Sequence, residues 1–430
     1  MSGVLRIAIA GLGTVGAGTL RLLREQAGLL ERRCGRALAV TDVSARSRDR
    51  NRGVELSTVR WHANAVEMAS TANVDVVVEL IGGADGVARQ VVEAAILAGR
   101  HVVTANKALL ARHGSRLARL AEERGVTLAY EASVAGGIPV IKTLREGLAG
   151  NNLGRVYGIL NGTCNYILTT MRETGRDFDD VLAEAQALGY AEADPSFDVD
   201  GVDAAHKLAI LTSVAFGTEV DLDAVHVEGI RHVSALDIRY ATELGYRIKL
   251  LGIARRTHQG IEQRVHPCMV RLGAPIAQVD GVFNAVVAEG DFVGSIMLEG
   301  PGAGAGPTAS AVAADLVDIA CGRRAPTFGV PAGLLQPLPA SPLERHMGTF
   351  YLRLMVIDRP GVFAALAAVL GEEQISIESV IQRGRDPDEV VPVVLVTHET
   401  GEAAMMRTLR RLAALEAVVE PPRLIRIEAL

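Results

Sequence analysis

The chain has 430 residues, 49% of them hydrophobic and 22% charged, with 45 Gly, 16 Pro and a formal net charge of −6. That length exceeds one ordinary core and the apolar share excludes bulk disorder, so two or three globular domains are expected. The acidity excludes nucleic-acid binding through an overall basic field, and no apolar run reaches the roughly 18 residues of a membrane span.

The start lacks the basic segment and long apolar stretch of a secretory signal, and Cys34, Cys164, Cys268 and Cys321 lie far apart with no CxxC pair. A structural zinc site and a disulfide framework are therefore not expected, and a reducing cytoplasm fits best.

From residue 4 to about 130, β-rich runs alternate with helical patterns: VLRIAIA, a helix over 14–30, ALAV, VDVVVEL, a helix over 87–98, HVVTA, a helix over 109–124 and VTLAY. The alternation predicts βαβ units and a Rossmann-type, doubly wound parallel sheet. Runs such as Val76, Val77 and Val78 suit strands covered on both faces. The first domain is read as 1–130.

Beyond it the pattern changes to helices near 163–188 and 200–217 and strand-like stretches near 246–256, 261–272, 282–289 and 293–299. This predicts an α+β domain over 131–302, able to pair subunits. A helix over 305–320 follows the glycine-rich PGAGAGPTAS and returns to complete the first domain, over about 303–322. Residues 323–348 hold five of the sixteen prolines without periodicity and read as a linker. The tail, 349–430, has a βαββαβ order, that of a small ferredoxin-like domain.

The first chemical motif is GLGTVG, residues 11–16, placed between a strand and a helix. Gly11 permits the tight turn, Gly13 lets a pyrophosphate approach the backbone, and Gly16 allows close helix packing, with Leu12, Thr14 and Val15 in the same loop. A dinucleotide cofactor is implied. A second strand over 37–41 ends near Asp42, an acid suited to the ribose hydroxyl of NAD. Arg46, Arg48, Arg50 and Arg52 follow, and an arginine suits the 2′-phosphate of NADP, so the signals conflict, with Arg46 tilting the choice to NADP.

Lys107 follows the strand-like HVVTA, which ends in Thr104 and Ala105, at the sheet edge where open α/β folds hold ligands. In GYAEADPSFDVDGVDAAHKLAIL, the acids Glu192, Asp194, Asp198, Asp200 and Asp203 precede Lys207, and Asp203 and Lys207 share a helix face. Hydride transfer on an amino acid needs carboxylates for the ammonium group and a proton-transfer group for the hydroxyl, for which Lys207 and Lys107 are the candidates. NGTCNY, residues 161–166, adds a polar helix start; Cys164 has no evident base and reads as packing or substrate contact.

With these residues in view, the chain resembles homoserine dehydrogenases with a C-terminal ACT domain over essentially its whole length. GLGTVG, VVTANKALL, YEASVAGGIPVI, ILNGTCNYIL, GYAEADPSFDVDGVDAAHKLAIL and PGAGAGPTASAVAADLVD look like the family's blocks in the family's order. The resemblance implies NAD(P)-dependent interconversion of L-homoserine and L-aspartate 4-semialdehyde, in the pathway to threonine, methionine and isoleucine. It implies Lys207 as acid/base, Lys107 beside nicotinamide and substrate, Glu192 and Asp203 on the amino acid, and Asp194 and Asp198 in support. It also implies a monovalent cation, sodium, on main-chain oxygens at Glu131, Val134, Gly136 and Ile138, and a second approach to the cofactor by Gly302 and Gly304.

In the tail, DRPGVFAALAAVL resembles the strand-to-helix turn of ACT domains, where Asp358, Pro360, Gly361 and Val362 would border a threonine effector and residues 375–379 of a second copy. A homodimer is the minimum implied and a homotetramer is open. The alternatives are another Rossmann-type dehydrogenase of a small amino or hydroxy acid, and a dinucleotide-sensing regulator. Against the regulator, no basic or helix-turn-helix output segment is present.

Overall fold

The computed structural model describes residues 3–383 and 389–430. Its N-terminal sheet has β1 (Leu5–Ala10), β2 (Leu38–Ser44), β3 (Arg60–His62), β4 (Val76–Glu79), β5 (His101–Thr104) and β6 (Leu128–Ala129), ordered β3-β2-β1-β4-β5-β6 with every pair parallel. Its helices are α1 (Thr14–Glu25), α2 (Ala27–Cys34), α3 (Ala65–Thr71), α4 (Val87–Leu97) and α5 (Lys107–Glu123).

Successive side chains of a strand point to opposite faces. Ile7, Ile9, Val76 and Val78 accordingly join Leu20 and Leu23 of α1 in one core, while Ala8, Ala10 and Val77 join Val91 and Val92 of α4 and Leu109 of α5 in another. The helix expected over 14–30 is two helices, because Gln26 leaves helical geometry at φ −102° and ψ 14°. β3 and α3, too short for a clear period, were not anticipated.

The middle of the chain opens with a short α6 (Val140–Lys142) that runs into a π-helical turn, Thr143–Gly147. Then follow β7 (Leu153–Ile159), α7 (Gly162–Thr174), α8 (Phe178–Ala187), α9 (Ser196–Val199), α10 (Val202–Phe216), β8 (His226–Val227), α11 (Ala235–Glu243), β9 (Tyr246–Thr257), β10 (Gly260–Arg271), β11 (Phe283–Gly290) and β12 (Gly294–Pro301). α12 (Ala305–Ala320) returns to the first sheet: Val312 and Leu316 join the Ile7 core, and Gly18 of α1 lies so close that a Cβ there would sit 3.3 Å from the Ala305 Cβ.

The tail forms β13 (Met347–Ile357), α13 (Val362–Glu372), β14 (Ile377–Gln382), β15 (Val390–Thr397), β16 (Thr400–Gly401), α14 (Glu402–Ala413) and β17 (Arg423–Glu428). The expected strand ISIESVIQRG ends at Gly384, which lies outside the described residues.

The middle and the tail share one sheet of eleven strands, with the path β12-β11-β7-β9-β10-β17-β13-β15-β14, β8 beside β10 and β16 beside β13. The seam is a parallel pairing of β10 with β17, from Cys268 opposite Arg426 to Val270 opposite Glu428. Residues 323–348, read as a linker, run packed against the body. Phe328 is fully buried, its ring 5.5 Å from that of Tyr130, and the Ile261 N–H donates to the Pro339 carbonyl at 2.8 Å. Proline-rich sequence carries no periodic sign of which side chains are covered. Among the described residues no helix is long and apolar enough to cross a membrane.

Candidate active site

The strand order reverses between β1 and β4, the position where open parallel sheets bind ligands. The three motif glycines do distinct work there. Gly11 turns at φ +99°, where a Cβ would lie 2.5 Å from the Leu80 carbonyl oxygen; Gly16 packs so closely that a Cβ would lie 2.0 Å from the Gly11 oxygen. Gly13 caps α1 and has open space where its Cβ would be. α1 carries no side-chain cap and no acid in its first turn, which leaves its N–H groups and positive dipole end for an anion. Thr14 is exposed and Val15 half-buried, whereas the Leu12 side chain belongs to the core and its carbonyl accepts from Arg52 Nε at 3.0 Å.

One cofactor-side expectation needs correction. β2 runs to Ser44, so Asp42 lies inside the strand, buried, with its carboxylate against His62 Nε2 at 2.6 Å. It does not face the strand end; Arg46 stands just beyond that end, exposed and without an ion-pair partner among the described residues. Thr104 is fully buried and its hydroxyl donates to Glu79 Oε2 at 2.7 Å, so its side chain shapes the β5 turn. Glu79 also receives the N–H groups of Ile81 and Gly82 at 2.7 and 3.1 Å, which fixes the loop after β4.

Lys107 is the first residue of α5, set there by Asn106, whose side chain accepts from the Leu109 N–H at 3.1 Å and donates to the Gly83 carbonyl at 2.7 Å. From this domain edge Lys107 Nζ reaches Asp203 Oδ1 of α10 at 2.7 Å. Asp203 Oδ2 receives Lys207 Nζ, one helical turn on, also at 2.7 Å. Lys207 Nζ donates in addition to the Leu160 carbonyl at 2.6 Å. One carboxylate therefore holds two ammonium groups, one from each domain.

Burial pushes the Asp203 carboxyl up, but the two lysines outweigh it and hold the group well below the usual carboxylate range. Burial lowers the Lys207 pKa, Lys107 adds to that, and Asp203 opposes it. Asp198 is raised, chiefly by burial. The Phe197 ring lies beneath Lys107 Nζ at 5.6 Å and edge-on to His206 at 5.5 Å. Cys164 is fully buried, its thiol toward the Asp198 carbonyl at 3.2 Å and pushed well up by burial, so packing and not nucleophilic chemistry is its part.

Of the expected carboxylates, Asp203 and Asp198 thus meet at the lysine pair, while Glu192 and Asp194 sit on an exposed stretch before α9. Asp194 accepts from the Ser196 N–H at 3.1 Å, and the Glu192 carboxylate has no hydrogen bond among the described residues. Asn161 was not singled out. Its amide joins Asp198 and Asp203 at 2.8 and 2.9 Å, a pairing that only the fold brings together.

The Glu131 carboxylate accepts the N–H groups of Ile141 and Lys142 at 2.8 and 2.9 Å, capping the α6 turn. Burial and the neighbouring Asp315 push its pKa to about 7. Ala135 and Gly136 both have positive φ, and Gly136 stacks on Gly302, whose carbonyl oxygen would lie 2.4 Å from an added Cβ. Gly304, at φ +118°, caps α12. YEASVAGGIPVI and PGAGAG are therefore packed against each other beside the glycine loop's helix.

Three family models match: "Homoserine dehydrogenase, NAD binding domain" over residues 11–131, "Homoserine dehydrogenase" over 139–317 and "ACT domain" over 350–414. A homoserine dehydrogenase of Pseudomonas aeruginosa is 48% identical over 433 residues, spanning 99% of each chain. The crystal structure of a homoserine dehydrogenase from Thiobacillus denitrificans superposes with a TM-score of 0.94 at 44% identity, over 99% of each chain. A hyperthermophilic archaeal homoserine dehydrogenase in complex with NADPH matches with a TM-score of 0.64 at 28% identity, over 73% of this chain and 97% of that one. With its glycine loop, two-lysine carboxylate and ferredoxin-like tail in the family's order, the chain belongs to the homoserine dehydrogenase family, NAD(P)-dependent oxidoreductases that interconvert L-homoserine and L-aspartate 4-semialdehyde, here with an ACT domain.

Proposed function

We propose that Lys207 is the proton-transfer group of this reaction and that Asp203 holds it in register with Lys107. The observation that carries the reading is Asp203 bridging the two lysines at 2.7 Å each. The nicotinamide, when bound, gives or takes the hydride at the substrate's terminal carbon. Lys207, its pKa lowered by burial, takes the hydroxyl proton as homoserine is oxidised and returns it on reduction. Asp203, only 3% exposed and enclosed by both lysines, orients them rather than serving as the main ammonium ligand. Glu192, carried on the exposed stretch that leads to Phe197, binds the ammonium group, with Asp194 and Asp198 in support. Lys107, with a third of its side chain exposed, faces the substrate and the nicotinamide.

The preferred cofactor in this reading is NADP. Asp42 is withdrawn into β2 and Arg46 stands exposed past the strand end, suited to the 2′-phosphate; a relative of the family was solved with NADPH. Gly11, Gly13 and the start of α1 would cradle the pyrophosphate, and Gly302 and Gly304 would border the ring end. The residues also fit a sodium ion on main-chain oxygens of Glu131, Val134, Gly136 and Ile138. Among the described residues no hydrogen bond reaches the carbonyls of the buried Val134 and Gly136, although buried carbonyls as a rule have partners.

Threonine is the proposed effector, bound at the turn of Asp358, Pro360, Gly361 and Val362, where Gly361 has φ +91°. The enzyme works as at least a dimer in the cytoplasm, where its four free cysteines stay reduced.

The test is NADPH and NADH oxidation with aspartate semialdehyde, with and without threonine, for the protein and its Lys207→Ala variant. Turnover in the variant equal to that of the parent removes Lys207 from the mechanism. Equal rates with both cofactors remove the assignment to Arg46, and a flat threonine titration removes the effector.

A further inference from the structure

Asn161 follows β7 and caps α7, its Oδ1 accepting the Cys164 N–H at 2.8 Å. Ser, Thr or Asp would cap as well. What those side chains lack is a planar amide with two donors. Asn161 uses both: one to Asp198 Oδ1 at 2.8 Å and one to Asp203 Oδ2 at 2.9 Å. The residue is 5% exposed, so these bonds form away from bulk water.

The consequence lies in the Asp203 carboxylate. Oδ1 meets Lys107, and Oδ2 meets both Lys207 and Asn161. A carboxylate between two lysines alone is free to rotate and to shift toward either. The amide pins Oδ2 on the side of Lys207, and the Leu160 carbonyl, one residue before Asn161, pins Lys207 Nζ from the same turn at 2.6 Å. The amide also keeps a donor between the buried Asp203 carboxylate and the half-buried Asp198, which would otherwise face each other unscreened.

We propose that Asn161 is a positioning residue that, by donating to Asp198 and Asp203 together, fixes the Asp203 carboxylate so that one oxygen serves Lys107 and the other Lys207. The proposal rests on the reading of Lys207 as the proton-transfer group.

Two variants test it. Asn161→Ser keeps a capping oxygen and loses the double donor; Asn161→Asp keeps shape and cap but sets a third acidic group against the other two. With the full-length protein, the expected result is a kcat at least tenfold lower for Asn161→Ser and lower again for Asn161→Asp. The melting temperature of Asn161→Ser should stay within a few degrees of the parent. The rising limb of kcat against pH, in homoserine oxidation, should move to higher pH in both variants, because an Asp203 without its amide donor, or beside added negative charge, holds the Lys207 proton more tightly. Parent-like kcat and limb in Asn161→Ser overturn the proposal. So does a kcat loss in both variants that comes with a lower melting temperature and an unmoved limb, since that describes a residue that only supports the fold. Lys207→Ala, run in parallel, separates the two failures: full activity there sinks the reading of the site, whereas its loss beside an indifferent Asn161 sinks only the inference.

Discussion

Two clusters of charge are buried in this molecule, and they are built in opposite ways. At the seam between β10 and β17, Arg264 meets both oxygens of Glu428 at 2.8 Å, pairs with Glu262, and donates from Nε to His266 Nε2 at 3.0 Å. Arg426 meets Glu228 at 3.0 Å through two nitrogens and clasps Glu402 with two more bonds. Arg426 meets each of its two carboxylates through paired nitrogens, the fork geometry that suits arginine, and Arg264 divides its nitrogens between Glu428 and Glu262. At the active site a single carboxylate serves two lysines, and one of those lysines keeps a third of its side chain exposed. At the seam Arg264 and Arg426 are each held by two acids, which fixes their charge. The active site is short of acid, which leaves a lysine able to give up its proton.

The same contrast decides a tempting metal reading. Ligand atoms of His266, Cys268 and Glu428 lie within 4.8 Å of one another. Yet His266 Nε2 accepts from Arg264, its Nδ1 faces the Pro267 carbonyl at 3.0 Å, and Glu428 is already held by Arg264. A cation would have to displace a guanidinium.

The largest expected effect breaks the active-site side of the comparison. Lys207→Ala should lower kcat by about 10²- to 10⁴-fold, the usual worth of a positioned acid or base. Its melting temperature should change little, because Asp203 retains Lys107 and Asn161. In homoserine oxidation the neutral lysine is the active form, so the parent's kcat should rise with pH through a pKa below the usual 10.5, and the variant should lose that limb. A variant that unfolds while keeping its turnover number would make this cluster structural.

The seam should answer in the other currency. Arg264→Ala strands Glu428 in the interior and leaves Glu262 to Arg255 and His346, and loss of one partner from a buried pair costs about 3–5 kcal/mol. Urea unfolding should register that loss while kcat per folded molecule holds. An unchanged unfolding midpoint would show that the seam does not depend on charge matching.

Acid should weaken the seam as well. Burial, with Arg426 and Arg264 adding to it, pushes His266 down to about 3. Below about pH 6.5 the unfolded chain binds a proton there that the folded chain refuses until about pH 3, so stability falls as pH drops through that window, by about 1.4 kcal/mol per unit at most. For Glu228, Glu262 and Glu428 burial raises the carboxyl, but hydrogen bonds and arginine charge overcome it and hold each below the usual 4.5. Their contribution is present above that value and declines beneath it, the same direction as His266. Unfolding free energy measured from pH 7 to pH 4 should slope downward, and His266→Gln should flatten the upper part of the slope.

These clusters also mark what the sequence could reveal. The glycine loop was legible because its three glycines answer local demands of turn, open approach and packing. Asp203 and Lys207 were legible because a helix places residues four apart on one face. Asn161 was not: its partners lie 37 and 42 residues away, and the capping role visible in NGTCNY is shared by many helices. The seam left no local trace either, since β10 and β17 are separated by about 150 residues and pair only in the folded chain. Asp42 misled for a smaller reason. A strand three residues longer than its apolar run carried the acid inside, and a histidine from β3 took it up.

The smallest expected effect concerns a charge outside both clusters. Arg46 is exposed and without an ion-pair partner among the described residues, so nothing in the fold depends on it. A hydrogen bond from it to a 2′-phosphate would be charge-assisted but solvated, nearer the low end of about 1.5–3 kcal/mol for bonds to charged groups. Arg46→Ser should therefore raise the KM for NADPH by roughly tenfold, about 1.4 kcal/mol, and leave that for NADH unchanged. Because the contact is exposed, the parent's preference should shrink as salt is raised from 0.05 to 0.5 M, whereas the Arg264–Glu428 pair of the seam, shielded from solvent, should respond far less. Equal weakening of NADPH and NADH in the variant would mean that Arg46 shapes the loop rather than reading the phosphate, and Arg52, already bonded to the Leu12 carbonyl, would become the residue to change next.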